Sequence, residues 1–349
     1  MMRVQVRARN GAFEFDTQDQ ERLLYGGLRS AIALPYECAT GTCGTCKAKL
    51  IEGEVEDLWP DSPGKKHLNP EHGEILACQC RAKSDLTLEV RGFIGNFDPG
   101  ACVPRQFTGR IAERRQLTKD VMAFSVELEE AHEFDAGQFM TVGFPGLQGA
   151  RAYSMVNYAR HPRRLEFVIK KVPGGGVSES LFAEHLAAGE VELFGPLGKA
   201  TFHPSLDKNI LCIAGGSGIA GMMSILSRAV QDNYFSQHLG HVFFGVRSPA
   251  DLFYADEMAT FQAQFPSQLK IVIAFSEEGE GTAALKENYP GLVFDSGFVH
   301  EVAGRHMQGA YDNVMAYLAG PPPAVDASIR MLLLQARLTT DAIRYDKFS

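Results

Sequence analysis

The sequence predicts a multidomain chain of mixed α+β and α/β class, assembled from three successive units. Three observations carry this. The 349 residues exceed one ordinary domain. Five cysteines crowd into positions 38–80. The hydrophobic pattern changes along the chain, from a short mixed segment, to alternating strand segments, to strand-then-helix alternation after Asn209. The expected units cover 1–98, 104–204 and 205–349, with the stretch Phe97-Asp-Pro-Gly-Ala-Cys-Val-Pro104 linking the first two.

Composition bounds the function before any motif does. Hydrophobic residues make up 45% and charged residues 22%, ordinary for a soluble globular protein. No run of about 18 apolar residues suggests a membrane span, and the start MMRVQVRARNGAFEF lacks a secretory pattern, so the expected location is the cytoplasm. A net charge of −8, with the acidity spread evenly along the chain, argues against nucleic acid as a partner. In a reducing compartment the crowded cysteines point to a metal site rather than to disulfides. Cys102 and Cys212 lie apart and read as structural.

In the first unit, Val4-Gln-Val and Phe13-Glu-Phe read as paired strands around the Asn10-Gly11 turn, and residues 21–33 read as an amphipathic helix. The segment Cys38-Ala-Thr-Gly-Thr-Cys43-Gly-Thr-Cys46 has the C-x4-C-x2-C spacing, followed by Cys78-Gln-Cys80. That spacing is the plant-type [2Fe-2S] pattern, in which one tight loop supplies three thiolates and a distant strand the fourth. Gly41 and Gly44 let the loop wrap closely and aim N–H groups at sulfur. A zinc ribbon fits less well, since its ligands come as two C-x2-C pairs. Either Cys78 or Cys80 could complete the set, because alternate strand residues share a face. The acidic run Glu52, Glu54, Glu56, Asp57 is open to two readings, a docking surface or a solvated strand face.

In the second unit, Phe107–Ile111 and Val121–Leu128 read as strands of an antiparallel structure. Arg151-Ala-Tyr153-Ser154-Met-Val-Asn157 follows Phe134-Asp-Ala-Gly137-Gln138-Phe139. It precedes Val172-Pro-Gly-Gly175-Gly176-Val177-Ser178 and then Gly195-Pro-Leu-Gly198. A glycine turn entering a helix at Ser178 presents free N–H groups and the positive end of a helix dipole, which suits a diphosphate. The basic run Arg160–Arg164 reads as a solvated hairpin.

In the third unit, Ile210-Leu-Cys-Ile-Ala is a continuous apolar strand, and Gly215-Gly216-Ser-Gly218-Ile-Ala opens a helix reaching about Val230. His241–Val246 repeats the strand pattern. The glycine turn differs from G-x-G-x-x-G and is weak evidence alone. Gly245-Val-Arg247-Ser-Pro-Ala-Asp251, Ala274-Phe-Ser276, Gly297-Phe-Val-His300 and Leu318-Ala319-Gly320 supply the context for a nucleotide site.

These motifs, in this order, resemble the ferredoxin–NADP reductase superfamily. Over nearly the whole chain they are similar to the NADH-dependent ferredoxin-flavin reductase components of bacterial multicomponent oxygenases of toluene and xylene monooxygenase type. The phrases Pro35-Tyr-Glu-Cys38, Gly53-Glu-Val and Leu58-Trp-Pro-Asp-Ser-Pro-Gly64 add to the likeness. The resemblance implies a β-grasp [2Fe-2S] ferredoxin, an antiparallel β-barrel flavin domain and a Rossmann-like parallel-sheet NAD domain. It favours Cys78 as fourth ligand beside Cys38, Cys43 and Cys46, with Cys80 in reserve. It implies that Arg151 pairs with a flavin phosphate, that Tyr153 flanks the isoalloxazine and that Ser154 hydrogen-bonds near N5. Asn157 and the Gly175, Gly176, Val177, Ser178 turn complete the FAD site, while Gly215, Gly216, Gly218, Arg247, Asp251 and Gly320 bind NADH. Phe348 either packs on the flavin or anchors the C-terminus.

The implied activity is transfer of electrons from NADH through FAD and the cluster to an oxygenase hydroxylase or a Rieske-type ferredoxin. A reductase for a deoxysugar dehydrase shares the domain plan. Glu277-Glu278 after Ser276 stands where NADPH-specific relatives often carry arginine, which predicts NADH over NADPH by charge repulsion. Ala319 replaces a usual cysteine and Gly221 a usual proline, and both are expected near the nicotinamide.

Overall fold

The computed structural model describes residues 1–183, 189–277 and 279–347. Its N-terminal part is a five-stranded mixed sheet. Strands β1 (Met2–Ala8) and β2 (Gly11–Thr17) form the expected hairpin, with Ala8 opposite Gly11. Helix α1 (Leu23–Arg29) follows, then β3 (Lys47–Glu52), β4 (Val55–Asp57), β5 (Glu74–Leu76), β6 (Cys80–Ala82) and β7 (Leu86–Glu89). The sheet order is β2-β1-β7-β3-β5, with β1 and β7 parallel, and β4 pairs with β6 beside it.

The helix corrects the sequence reading of 21–33. It is shorter and nearly all buried: Leu23 to Leu28 are out of solvent, and Ala31 has already turned to positive φ. Close packing explains this. A Cβ on Gly27 would fall 2.3 Å from the Leu34 side chain, and one on Gly26 would fall 2.9 Å from Phe15. The helix is a wedge between β2 and the cysteine loop, and an exposed face never forms.

The middle part is an antiparallel sheet of β8 (Arg105–Gln116), β9 (Val121–Leu128), β10 (Phe139–Gly143), β11 (Ala150–Ser154), β12 (Arg164–Lys170) and β13 (Glu190–Leu197). Its order is β11-β10-β13-β8-β9-β12, and the two ends lie side by side to give a nearly closed barrel. Phe124, Phe144, Phe167 and Leu193 fill the interior. Helix α2 (Gly176–Phe182) starts two residues before the expected Ser178, with Gly175 at its N-cap. Arg164 of the basic run opens β12 and pairs with Glu166, 3.4 Å away, and Glu113.

The C-terminal part is a parallel sheet: β14 (Asn209–Gly215), β15 (Gly240–Val246), β16 (Leu269–Phe275), β17 (Val293–Ser296), β18 (Val314–Gly320) and β19 (Ile343–Lys347), in order β17-β16-β15-β14-β18-β19. Helices α3 (Ile219–Gln231), α4 (Ala255–Gln264), α5 (Thr282–Asn288), α6 (Val299–His306) and α7 (Pro322–Leu334) connect the strands. Alternate residues of β14 enter different cores, Ile210 and Cys212 one, Leu211 and Ile213 the other. A parallel sheet covered on both faces requires such uniformly apolar strands. The chain runs outward from β14 to β17 and then returns to its other side at β18. The crevice at that reversal, beyond the carboxyl ends of β14 and β18, is where open α/β sheets bind ligands. Among the described residues no helix is long and apolar enough to cross a membrane.

Candidate functional site: three cofactor centres on one chain

The first centre is the cysteine loop. Its thiols form two pairs. Cys46 and Cys78 Sγ lie 3.1 Å apart, while the Cys43 thiol hydrogen-bonds to Cys38, lowering the Cys38 thiol and raising its own. Backbone N–H groups of Thr40 and Cys43 point at Cys38 Sγ, both at 3.4 Å, and that of Thr45 points at Cys43 Sγ at 3.5 Å. Among the described residues no three His, Cys, Asp or Glu side chains converge on a single ion. Two thiol pairs with N–H donors on sulfur suit two bridged irons, not one zinc. Gly41 and Gly44 have φ of +89° and +80°, the left-handed backbone that lets the loop close. Cys80 is separate: it faces Asp57 across β4 and β6, and burial, then that carboxylate, push its thiol up to about 12.

The acidic run near this loop is partly used internally. Glu56 approaches Arg81 at 3.7 Å, Asp57 pairs with Lys65, and Glu52 accepts from Thr87.

The second centre lies on the barrel. Arg151 and Tyr153 sit on β11, which is paired to β10, with Tyr153 opposite Met140 and Ser154 opposite Phe139. The Arg151 guanidinium donates to the Ala150 and Gln148 carbonyls at 3.0 and 3.5 Å. Tyr153 packs edge-on against Phe124, centroids 5.6 Å apart, and burial raises its hydroxyl above the ordinary range. Asn157 has its side chain committed to backbone: it donates to the Arg164 carbonyl at 2.8 Å and accepts from Glu166 N–H at 3.0 Å. The Ser178 hydroxyl accepts from Val172 N–H at 3.0 Å and closes the glycine turn. The opening N–H groups of α2 at Gly176 and Val177 lack intrahelical acceptors, which leaves them for an anion.

The third centre is the crevice. A cavity of about 200 Å³ is lined by Gly215, Gly216, Arg247, Asp251, Ser276 and Pro321, among others. Gly216 has φ +54° with open space where a Cβ would stand, so backbone faces the cavity directly. Gly218 is different: a Cβ there would lie 2.6 Å from the Ala319 and Gly320 backbone, so its lack of a side chain lets α3 begin against β18. Gly320, with φ +140°, is also held close to Gly215, whose carbonyl oxygen would lie 3.0 Å from a Cβ there. Arg247 bridges two carboxylates, Asp251 and Asp120, each at 3.0 Å. Burial would raise Asp251, but the Ser248 hydroxyl and the Arg247 and Lys119 cations outweigh it and hold the carboxyl below its usual value. Ser276 and Glu277 are tied to the Arg247 strand through their N–H groups, at 3.1 Å to Val246 and 2.8 Å to Arg247.

The three centres meet at shared seams. The N-terminal core continues without a break into Phe139, Phe194 and Leu197 of the barrel. Tyr25 of α1 stacks on Phe194, centroids 3.9 Å apart and nearly coplanar, and its hydroxyl lies 3.1 Å from Thr141 Oγ1 and 3.4 Å from the Ala39 carbonyl, next to Cys38. On the other side, the position of a Gly221 Cβ is 3.6 Å from Ser154.

Comparison with known proteins gives the same division. Family models match the 2Fe-2S iron-sulfur cluster binding domain over residues 8–83, the oxidoreductase FAD-binding domain over 108–202 and the oxidoreductase NAD-binding domain over 212–329. The ferredoxin–NAD(P)(+) reductase CarAd of Metapseudomonas resinovorans is 34% identical, with 93% of this chain and 94% of the relative covered. The chain belongs to this reductase family. The ferredoxin–NAD(+) reductase component of the alkene monooxygenase system of Xanthobacter autotrophicus is 31% identical over 97% of this chain and 99% of its own length. The solved ferredoxin reductase of carbazole 1,9a-dioxygenase superposes with a TM-score of 0.81 at 30% identity, covering 99% and 98% of the two chains. This protein is therefore an NADH-dependent flavin iron–sulfur oxidoreductase, a reductase component of the kind that serves oxygenase systems.

For the reductase, Cys38, Cys43, Cys46 and Cys78 come together as two pairs. Arg151, Tyr153 and Ser154 share one strand, and Gly215, Gly216, Arg247 and Asp251 share one cavity. Phe348 and Glu278 lie outside the described residues. Sequence reasoning missed Asp120, Tyr25 and Trp59. Asp120 lies 127 positions from the arginine it holds, and nothing local marks it. Trp59, the one tryptophan in the chain, could have been singled out by composition.

Proposed function

We propose that the reductase takes electrons from NADH and delivers them, in the cytoplasm, to the hydroxylase of a multicomponent oxygenase or to its Rieske-type ferredoxin. Bound FAD supplies hydride chemistry at N5, and the [2Fe-2S] cluster supplies one-electron delivery. The protein's part is placement. Arg151 would hold the flavin phosphate through its planar fork, and the Gly175–Ser178 turn would hold the diphosphate through backbone N–H groups. Tyr153 would flank the ring system, Ser154 would donate near N5, and Asn157 keeps the β11 and β12 ends in register for both. Cys38 and Cys43 would hold one iron, Cys46 and Cys78 the other.

The observation that carries the reading is the continuous packed seam from the cysteine loop to the flavin strand. Tyr25 touches the Ala39 carbonyl on one side and Thr141 and Phe194 on the other. A chain built only to reduce flavin has no need to press a cluster loop against it. The test is an anaerobic NADH titration followed in the flavin and cluster absorption bands. Both should bleach in sequence; flavin reduction without any cluster reduction refutes the proposal.

NADH over NADPH rests on Glu277, exposed beside cavity-lining Ser276. A carboxylate there repels a 2′-phosphate. Replacing it, Glu277→Arg, should raise kcat/KM for NADPH about tenfold or more, the scale of turning a repulsive pair into a paired one. Comparable kcat/KM for both nucleotides in the wild type refutes this specificity.

A further inference from the structure

Trp59 lies in the ferredoxin unit, yet its indole sits on the flavin side of the seam. The Arg151 guanidinium carbon is 5.5 Å from the centre of the ring, cation–π distance. The next glycine is shaped to allow it: Gly149 has φ +74°, and a Cβ there would fall 3.1 Å from the indole and 3.2 Å from Arg151 Nη1. Arg151 has its other described hydrogen bonds only to the Gln148 and Ala150 carbonyls. Its charge is thus held by an aromatic face and two dipoles, not cancelled by a carboxylate, and remains available to an anion.

The tryptophan is held as firmly as the arginine. Its backbone N–H donates to Asp57 Oδ1 at 3.1 Å, and the preceding Leu58 N–H donates to the Gln79 carbonyl at 2.8 Å. Gln79 in turn aims its side-chain amide at Cys78 Sγ, 3.6 Å away. The loop carrying Trp59 is therefore fixed to the short turn that carries Cys78.

Beside the stack, a cleft of about 610 Å³ opens between the two units. Leu58, Arg22 and Arg81 line it from the ferredoxin unit, Leu147 and Gly149 from the barrel. Leu147 also touches the diphosphate turn, 3.8 Å from the Cβ position of Gly176. Leu147 thus links the wall of this cleft to the Gly176 turn, and Gly149 links it to Arg151 and Trp59. The volume suits a nucleotide arm.

We propose that Trp59 is an FAD-binding residue contributed by the ferredoxin unit. Its indole holds the Arg151 fork in position and forms an aromatic wall for the adenosine-diphosphate arm. Retention of FAD then depends on the ferredoxin unit being docked, and one loop reports on both cofactors. The inference rests on the reading of Arg151 as the flavin-phosphate residue.

The test is FAD affinity of the full-length, cluster-loaded protein after flavin removal, measured for wild type, Trp59→Ala, Trp59→Phe, Arg151→Gln and the Trp59→Ala/Arg151→Gln pair. Trp59→Ala should weaken FAD binding about five- to thirty-fold, the scale of a desolvated cation–π contact, while Trp59→Phe keeps most of the affinity. The double variant should bind more weakly than Arg151→Gln alone, but by less than the full Trp59→Ala factor, since the indole acts partly through the arginine and partly on the nucleotide arm itself. Normal affinity in Trp59→Ala with loss in Arg151→Gln overturns the role of Trp59 and leaves that of Arg151 standing. Normal affinity in all variants overturns both. The single tryptophan gives a reading that needs no variant: 5′-ADP, at concentrations that block FAD rebinding, should quench the wild-type indole emission. Unchanged emission overturns the proposal however the Trp59→Ala protein folds.

Discussion

The C-terminal strand carries a carboxyl whose titration can be measured directly. Asp346 on β19 pairs with Ala319 of β18, and its Oδ2 lies 3.3 Å from the Cβ position of Gly198 on the barrel. The residue keeps some surface, but its carboxyl is turned inward. Desolvation raises it to about 7 from an ordinary 3.8, against the lowering effect of the Lys199 and Ala200 N–H groups and the Lys199 ammonium, with Glu37 adding to the rise and Tyr36 close by. A folded-state value raised above the unfolded one means stability present below pH 4 and lost as pH rises through about 7. Between pH 5 and pH 8 that loss is about 2.5 kcal/mol at one site, from about 1.4 kcal/mol per unit, and less where the carboxyl reaches water. Replacing it, Asp346→Asn, removes the titration and gives up one backbone hydrogen bond, about 1 kcal/mol. The variant should therefore gain about 2.5 kcal/mol on the wild type between pH 5 and pH 8 and be clearly the more stable of the two at pH 8. Urea unfolding of both proteins at the two pH values decides it. Parallel curves, with a constant gap between wild type and variant, refute a carboxyl that titrates near neutrality.

Three further outcomes follow from the same geometry. Cys78→Ser should abolish the cluster's visible absorption, while Cys80→Ser should keep it, because only Cys78 reaches Cys46; iron content checks both. Tyr25→Ala should cost about 3–5 kcal/mol as a buried aromatic truncation and separate cluster reduction from flavin reduction in stopped-flow traces, whereas Tyr25→Phe should cost about 1 kcal/mol and leave them coupled. Gly221→Ala should be accepted, since the added carbon meets Gly137 O at 3.4 Å and Ser154 at 3.6 Å in ordinary contact, and should gain up to about 1 kcal/mol of helix stability. Gly221→Leu should instead press on Ser154 and slow NADH-dependent bleaching of the flavin.

What the sequence made legible is what depends on local chemistry. The C-x4-C-x2-C spacing, the apolar run of β14 and the glycine turns at 175 and 215 each state a backbone requirement that holds wherever the segment sits. The helix after β2 was misread because its end is set by Leu34 and Phe15 pressing on Gly26 and Gly27, contacts between segments that no periodicity contains. Asp120 escaped for the same reason: a turn aspartate is unremarkable until Arg247 is brought to it by the packing of a parallel sheet on a barrel. Strand periodicity leaves Cys78 and Cys80 open; in the fold Cys78 stands on a short 3-10 turn at 77–79 with its Sγ 3.1 Å from that of Cys46, while Cys80 opens the next strand opposite Asp57.

The seams between units also explain why three cofactor sites share one chain. Each site alone uses a common device: a thiol loop, a helix start, a crevice at a sheet reversal. None of these sets the distance between centres. That distance is fixed by contacts crossing the seams, and they are of two kinds. Between the ferredoxin unit and the barrel, Tyr25 stacks flat on Phe194 and is backed by its hydroxyl contact with Thr141 and by the Gly198 N–H bond to Tyr36, while Trp59 makes a cation–π contact with Arg151. Arg247 on Asp120 and Arg228 on Asp135, at 3.0 and 2.9 Å, are charged contacts between the parallel sheet and the barrel. Charged seams of partly exposed groups weaken with salt, whereas stacked aromatic seams do not. Raising ionic strength should therefore loosen the nicotinamide side of the flavin before the cluster side. Hydride arrival, rather than electron departure to the cluster, is the step the architecture leaves open to adjustment.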